Sequence, residues 1–213
     1  MSEFFNSGAE MFYRVICVVC ILVLHSTIAQ SQDIATGGGN VVLYEAQTHE
    51  RTVSGQLDAC EMTYLIAFED HIYRRGDIVF LRGAFSLNGV INRTDKAPFI
   101  TFKVTAFDVV NDKPVRAPIY YAYIVSNGIS YANKEFTKFA CEDGGYCTGY
   151  ELMANPELAV VGQSGLSINF NRHNGGSDVQ VPVNFMRDKP QETANFAECS
   201  SKLINAIIKK FGR

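Results

Sequence analysis

The sequence predicts a mainly β protein, either an antiparallel β-sandwich or a partly open barrel of seven to nine strands, with one amphipathic helix at its C-terminus. Three observations predict this class. Short segments alternate apolar and polar residues, as half-buried strands do. An Asn-Gly turn signal at 174–175 separates the two clearest of these segments. Beyond residue 195 the apolar period changes from that of a strand to that of a helix.

Residues 11–29 have the anatomy of a secretory signal peptide. Arg14 precedes an unbroken apolar run over residues 15–24, and small residues occupy the positions that a signal peptidase reads. The run has about half the length that a bilayer-spanning helix requires, so a retained anchor is the less favoured alternative. We predict a signal peptide over residues 1–29, cleavage before Gln30, and export to the periplasm or out of the cell.

Residues 1–10 carry acidic side chains where a signal peptide needs positive charge, so a translation start at Met11 is an alternative.

The remaining chain is predicted to hold one domain. Residues 30–39 are polar and end in three glycines, which predicts a flexible leader. Residues 40–213 then form a single disulfide-stabilised β-rich domain that is long enough to bury a proper core.

The charge of the chain excludes two classes of partner. Its formal net charge is −3 at pH 7, and no run of like charges occurs. Such a surface gives no electrostatic basis for binding nucleic acid or an anionic membrane. We expect no membrane span after signal cleavage, and we predict no cofactor and no metal site. The sequence does not determine an oligomeric state.

Four cysteines remain after cleavage: Cys60, Cys141, Cys147 and Cys199. An even number in an exported chain indicates two disulfides, for which three connectivities are possible. We favour Cys141–Cys147 and Cys60–Cys199, because two adjacent glycines between the first pair let the chain turn back. The second bond would tie the C-terminal segment to an early strand. A zinc site is the alternative, but the spacings match no paired ligand motif.

Six segments carry strand patterns: residues 60–68, 78–85, 99–110, 119–125, 166–170 and 179–185. The first has the clearest face, which is formed by Cys60, Met62, Tyr64, Ile66 and Phe68. The segment 78–85 is apolar but interrupted by Arg82 and Gly83, and the segment 99–110 alternates less cleanly.

The last two strand segments are predicted to form a β-hairpin. They alternate almost without fault on either side of the Asn-Gly turn signal. Pro182 cannot donate a backbone hydrogen bond, so we expect it on an edge strand or at a bulge.

The C-terminal segment predicts an amphipathic helix. Asn195 and Glu198 have capping-box spacing, with Asn in place of the usual Ser or Thr. The apolar stripe consists of Phe196, Cys199, Leu203 and Ile207, widened by Ser200, Ile204 and Phe211. The opposite side carries Glu198, Lys202, Asn205 and Lys209. The helix therefore packs its apolar side on another element, as a cysteine that bridges helix and sheet requires.

Candidate acid–base or metal-binding residues are few. Glu69, Asp70 and His71 are consecutive, and His173 lies in the loop of the predicted hairpin. For the first three we favour a solvated turn, because the side chains of consecutive strand residues cannot converge on one point. His49 lies in a polar loop. No catalytic residue and no metal ligand is assigned.

Three further motifs are weak. The serine within residues 162–165 lacks the strand–turn–helix setting of a nucleophile elbow. Asn92 begins a glycosylation sequon in a polar stretch. Glu142 and Asp143 would bind Ca²⁺ only with the help of further ligands, so we interpret them as solvated acids.

The segment 119–125 is rich in tyrosine. Tyr120, Tyr121 and Tyr123 occupy neighbouring positions of one predicted strand, so at least one should point away from the core. Tyrosine is a favoured contact residue at recognition surfaces. We therefore predict these three as a candidate binding surface, and core packing is the alternative for two of them.

The second half of the chain resembles a known family. Residues 127–131 precede a closely spaced cysteine pair with glycine before its second member, Gly145-Tyr146-Cys147. Two alternating strands follow, and Phe196-Ala197 opens the helix. This order is similar to the C-terminal half of the invasion-associated locus B family of bacterial periplasmic proteins. The resemblance implies a Gram-negative periplasmic β-domain linked to host interaction, with no catalytic residues to transfer. Cys199 departs from the family's pattern.

These patterns favour an exported, non-enzymatic binding or accessory protein whose partner is a protein or a cell-envelope component. The first alternative is a small periplasmic hydrolase that combines His71 or His173 with a distant acid. The second is an inhibitor or chaperone-like accessory that uses an open sheet edge beside Pro182. A pocket with convergent ionisable groups would favour an enzyme, and a flatter apolar or aromatic patch would favour a binding protein.

Overall fold

The computed structural model describes residues 38–89, 98–135, 137–141, 144–152, 154–155, 158 and 165–211. Several predictions fall outside the described residues: the signal peptide, leader residues 30–37, Asn92, Glu142, Asp143 and Ser164. The first described strand, Gly38–Val53, lies outside the six predicted strand segments and includes the last two residues assigned to the leader. It also contains His49, so the prediction that His49 lies in a polar loop is wrong.

The described residues form eleven strands and two helices. In chain order the strands are β1 (Gly38–Val53), β2 (Gln56–Asp70), β3 (Asp77–Asn88), β4 (Phe99–Val110), β5 (Lys113–Ala117), β6 (Tyr121–Ser126), β7 (Ile129–Ser130), β8 (Thr137–Ala140), β9 (Tyr146–Glu151), β10 (Leu166–Asn171) and β11 (Val179–Val183). The helices are α1 (Phe185–Asp188) and α2 (Pro190–Phe211).

The strands form two antiparallel sheets. The large sheet has the order β1-β2-β3-β4-β9-β8, and the small sheet has the order β11-β10-β6-β7. The large sheet divides at β4, whose first half pairs with β9 and whose second half pairs with β5. Pro182 lies on β11, the edge strand of the small sheet, as predicted. That edge lies against β1.

The two sheets face each other across an apolar core. Alternate residues of β2, from Cys60 to Phe68, are buried on the predicted face. The ring of Phe68 packs edge-on against Phe170 of the small sheet, with the ring centroids 6.2 Å apart. We call this side of the large sheet the inner face and the opposite side the outer face. The mainly β, sandwich-like class is confirmed, with short strands such as β5, β7 and β8 beyond the predicted number.

Close approach of two inner-face strands requires glycine at one position. Tyr64 of β2 lies directly across from Gly83 of β3, and its hydroxyl donates a hydrogen bond of 3.0 Å to the carbonyl of Lys103 on β4. A Cβ at Gly83 would collide with the Tyr64 ring and with that carbonyl. The glycine that interrupts the apolar segment at residue 83 therefore leaves the space that the Tyr64 ring occupies.

The C-terminal helix covers part of the inner face. Phe196, Cys199 and Leu203 of the predicted stripe are buried, and Cys199 is disulfide-bonded to Cys60. The second disulfide joins Cys141 and Cys147, so both predicted pairings are confirmed. In addition, Glu192 accepts a hydrogen bond of 2.7 Å from the backbone N–H of Thr48 on β1. The helix thus also covers one point on the edge of the large sheet.

The start of this helix differs from the prediction. The helix begins at Pro190, so Asn195 and Glu198 lie inside it and do not form a capping box. Asn195 instead accepts a side-chain hydrogen bond from Gln191. Proline is well suited to the first helical turn, because its fixed φ matches a helix and its missing N–H would have no partner there.

Candidate functional site

The outer face of the large sheet carries an apolar patch. Antiparallel pairing places Phe80 of β3 between Ala67 of β2 and Phe107 of β4. Ile78 lies two residues along β3 from Phe80, on the same face. We call Leu65, Ile78, Phe80, Phe107, Val109 and Pro114 the outer patch; together they line one groove.

The groove has a volume of about 1070 Å³ and is broad and open. Its polar rim consists of Glu45, Gln47, His49, Arg82 and Asp112, and Thr63 and Tyr64 also contribute to its lining. Glu45 lies at the β1 side of the groove, whereas Asp112 lies in the turn between β4 and β5 at the other side. The long axis of the groove therefore crosses the strands.

The outer patch is unusual because an outward sheet face is normally polar. Ile78 is 42% exposed, and Leu65, Phe80, Phe107 and Val109 are each partly exposed. The small sheet and α2 contact the inner face, as the Phe68–Phe170 ring pair and the Cys60–Cys199 bond show. Within the described residues, the outer patch thus remains in contact with solvent.

The charges of the rim are separated from one another. Leu65 pairs with Glu45 on one side and with Arg82 on the other, so the two charged residues lie two strands apart. That spacing is about 10 Å, too long for a direct ion pair. Among the described residues, Arg82 and Asp112 have no ion-pair partner, and Glu45 accepts a hydrogen bond of 2.9 Å from Gln47.

The predicted tyrosine surface lies elsewhere, on the small sheet. Tyr120 is 56% exposed, whereas Tyr121 and Tyr123 are half-buried. The Tyr121 hydroxyl accepts a hydrogen bond of 2.7 Å from the backbone N–H of Asn133. The Tyr123 hydroxyl donates one of 2.8 Å to Asp178. Two of the three tyrosines are thus engaged within the protein, and Tyr120 presents most of its ring to solvent.

Burial perturbs the titration of these tyrosines and their neighbours. It is the main cause that raises the pKa of Tyr123 and of Tyr146, each to about 12, and the Asp178 carboxylate raises that of Tyr123 further. Burial likewise raises the pKa of Tyr121 and Tyr150. Phenols with raised pKa values stay protonated at neutral pH, so they cannot act as general bases there.

Of the three consecutive acid–base candidates, Glu69 and Asp70 end strand β2 and only His71 lies in the turn, so the prediction of a solvated turn is wrong for Asp70. Asp70 is fully buried and lies 2.9 Å from the guanidinium of Arg172. Glu69 points away from it and lies 3.4 Å from Nε2 of the exposed His71. His173 is exposed and packs edge-on against Tyr73, with the ring centroids 5.6 Å apart. Across the described residues, no group of three or more His, Cys, Asp and Glu side chains is placed to hold a metal ion.

A buried ion cluster near Asp70 is not predicted by any pattern in the sequence. Arg172 donates two hydrogen bonds of 2.9 Å to the carboxylate of Asp108 and one of 2.9 Å to Asp70. These partners are 64 and 102 residues away in the chain, so no local pattern could reveal them. The cluster links the loop between β10 and β11 of the small sheet to β2 and β4 of the large sheet.

The outer patch, in contrast, left a signal in the sequence. Phe107 and Val109 place apolar side chains on the face opposite to that of Val104 and Ala106, which is why residues 99–110 alternate poorly. Poor alternation of a long strand indicates apolar residues on both faces. The pattern alone does not say which other element, if any, covers the second face.

Comparison with protein-family models, with curated proteins and with solved structures finds no match for this chain. The resemblance to the invasion-associated locus B family therefore stays a prediction. Neither of the two described helices is long and apolar enough to cross a membrane.

Proposed function

We propose that this chain is an exported, non-enzymatic binding or accessory protein of the cell envelope, and that its partner binds to the outer patch. The observation that supports this proposal is the apolar groove on a sheet face where solvent-facing residues would ordinarily be polar. Large contiguous apolar patches are rare on the surfaces of monomeric proteins, and where they occur they often mark an interaction site. Removal of such apolar surface from water favours association.

The hydrolase alternative receives less support from the geometry. His71 and His173, the histidines on which it depends, lie in the turn after β2 and in the loop before β11. Neither lines the groove. Burial is the main cause that raises the pKa of five tyrosines, and of these only the buried Tyr64 lines the groove among the described residues; hydrogen bonds to acidic neighbours raise the pKa of Lys138, Arg187 and Lys202, which lie outside the groove. The groove itself combines an apolar floor with dispersed charges, which suits binding.

Export is part of the same proposal. The two disulfides are compatible with an extracytoplasmic location, since thiols pair in oxidising compartments. The family resemblance adds a role in host interaction to the proposal. A partner in the envelope or on a host surface would meet the outer patch only after export.

The test compares two matched isoleucines. Ile78 in the outer patch and Ile129 on β7 are both strand residues with 42% exposure. The mature protein, residues 30–213, is immobilised as wild type, Ile78→Asp and Ile129→Asp, and each is incubated with envelope extract. We expect one or more components to bind the wild type and Ile129→Asp but not Ile78→Asp. If all three retain the same components, the outer patch is not the binding surface.

A second measurement addresses catalysis. Turnover of generic ester, peptide or glycan substrates by the mature protein, abolished by His71→Ala or His173→Ala, would contradict the proposal and favour the hydrolase. We expect no such histidine-dependent turnover.

A further inference from the structure

We infer that the outer patch accepts an amphipathic α-helix of about 13 residues, with basic side chains near both ends and an acidic side chain midway along one flank. This inference rests on the proposed function and specifies its partner. The dimensions of the groove, the chemistry of a sheet face and the order of the rim charges each lead to it.

The outer patch has the dimensions of a short helix. Ile78, Phe80 and Arg82 are successive outward residues of β3, so the distance along the strand from the first to the third is about 13 Å. A helix with its side chains is about 10–12 Å wide. Across the strands, the groove runs from Glu45 on β1 to Pro114 on β5. Four strand spacings cover about 19 Å, the length of about 13 helical residues.

The face of a sheet favours a helical partner over an extended one. The backbone groups of β2 and β3 are paired within the sheet, so the groove offers side chains only. An extended peptide laid on Phe80 and Phe107 would lose hydration of its own N–H and C=O groups without replacement. A helix satisfies these groups internally and presents only its apolar stripe.

The rim charges follow an order along the groove. Glu45 lies at one end and Asp112 at the other, and Arg82 lies between them on the row of Leu65. All three are exposed. A helix along the groove would therefore meet acidic, basic and acidic side chains in turn, and the complementary partner carries basic, acidic and basic residues. Two acids against one base also disfavour an anionic membrane as the occupant.

The test uses two synthetic helical peptides of about 13 residues with the same leucine stripe. The first carries lysines near both ends and a glutamate in the middle, and the second carries the inverted charges. Binding to the mature protein, with its disulfides intact, is measured by fluorescence anisotropy. We expect the first peptide to bind at least about tenfold more tightly than the second, with the difference decreasing at high salt.

Variants then assign the contacts. Ile78→Asp should weaken binding of the first peptide by about tenfold or more, and Ile129→Asp should leave it unchanged. Arg82→Glu should weaken the first peptide, and a peptide with lysine in place of its central glutamate should restore binding to that variant. Circular dichroism of each variant verifies the fold.

Four results would overturn the inference. These are binding of neither peptide, equal binding of both, binding that is insensitive to Ile78→Asp, and Ile78-dependent co-sedimentation with phosphatidylcholine vesicles in place of peptide binding. The last result would indicate a membrane as the occupant. If the peptides fail while envelope components still depend on Ile78, only the helical partner is wrong. If both experiments fail, the proposed function fails as well.

Discussion

The two halves of the outer face of the large sheet differ sharply in composition. Around Ile78, Phe80 and Phe107 the outward residues are apolar. Further along the same strands they are mainly polar: Glu61, Thr63, Ser86, Thr101 and Lys103. Both halves belong to one sheet and have the same register, so strand formation does not require the apolar residues. Apolar residues are concentrated on one half, although Phe99 and Phe139 also face outward on the other, and this concentration indicates a use other than folding.

The inner face provides the second part of this comparison. There, apolar residues are covered by the small sheet on one side and by α1 and α2 on the other, as the Phe68–Phe170 and Tyr64–Phe185 ring pairs show. Covered apolar residues stabilise the fold with their whole surface, whereas those of the outer patch retain exposed apolar surface that a partner could bury. Substitutions on the two faces should therefore differ in their effects on stability and on partner binding.

Loss of the Cys60–Cys199 bond should expose part of the inner face to solvent. The two faces of the large sheet would then differ less in the exposure of their apolar residues. The bond closes a loop with a sequence separation of 139, so the double variant Cys60→Ala/Cys199→Ala should lose about 5 kcal/mol of unfolding free energy on the chain-entropy model. The matched variant Cys141→Ala/Cys147→Ala, with a separation of 6, should lose only about 2 kcal/mol. Urea unfolding measures both, and equal losses would contradict the assigned role of α2.

Substitutions on the same strand should separate the faces directly. Leu81 of β3 is fully buried on the inner face, so Leu81→Ala should cost about 2–5 kcal/mol through the cavity it leaves. Ile78→Ala on the outer face should cost less than about 1 kcal/mol and should instead reduce partner binding. A large loss of stability from Ile78→Ala would show that the outer patch serves folding after all.

The outer face of the small sheet should respond to alkaline pH. Burial and the Asp178 hydrogen bond raise the pKa of Tyr123 to about 12, above the ordinary value of 10.0. The folded state therefore keeps a proton that the unfolded state releases first, so stability is complete below pH 10 and decreases as the pH rises towards 12. Tyr123→Phe should make this decrease smaller in urea titrations at several pH values. An unchanged pH profile would contradict the raised pKa of Tyr123.

Much of the fold could be predicted because its signals are local. The alternation of residues 60–68 and the turn at 174–175 each concern a few neighbouring residues, and the structure confirms both the buried face and the hairpin. The helical stripe from Phe196 to Leu203 is also a local pattern, and the structure confirms that it is buried. The start of that helix was not, because a capping pattern at Asn195 competes with Pro190 five positions earlier and only one of them begins the helix.

The candidate site was less predictable, for a physical reason. Tyr120, Tyr121 and Tyr123 stood out by composition, yet two of them are engaged within the protein. The outer patch combines residues from β2, β3, β4 and β5, none of which forms a motif by itself. The buried Arg172 cluster likewise depends on partners far away in the chain.

The sequence by itself indicated the class of fold and the period of six strand segments and the C-terminal helix, since alternation and turn chemistry act over short distances; it favoured the disulfide pairs that the structure confirms. Only the tertiary structure decided which apolar face stays in contact with solvent. The sequence of a strand with apolar residues on both faces does not show which face other elements will cover. Within the part of the chain that the structure describes, the small sheet and α2 cover the inner face of β2 and β3, and the outer patch stays in contact with solvent.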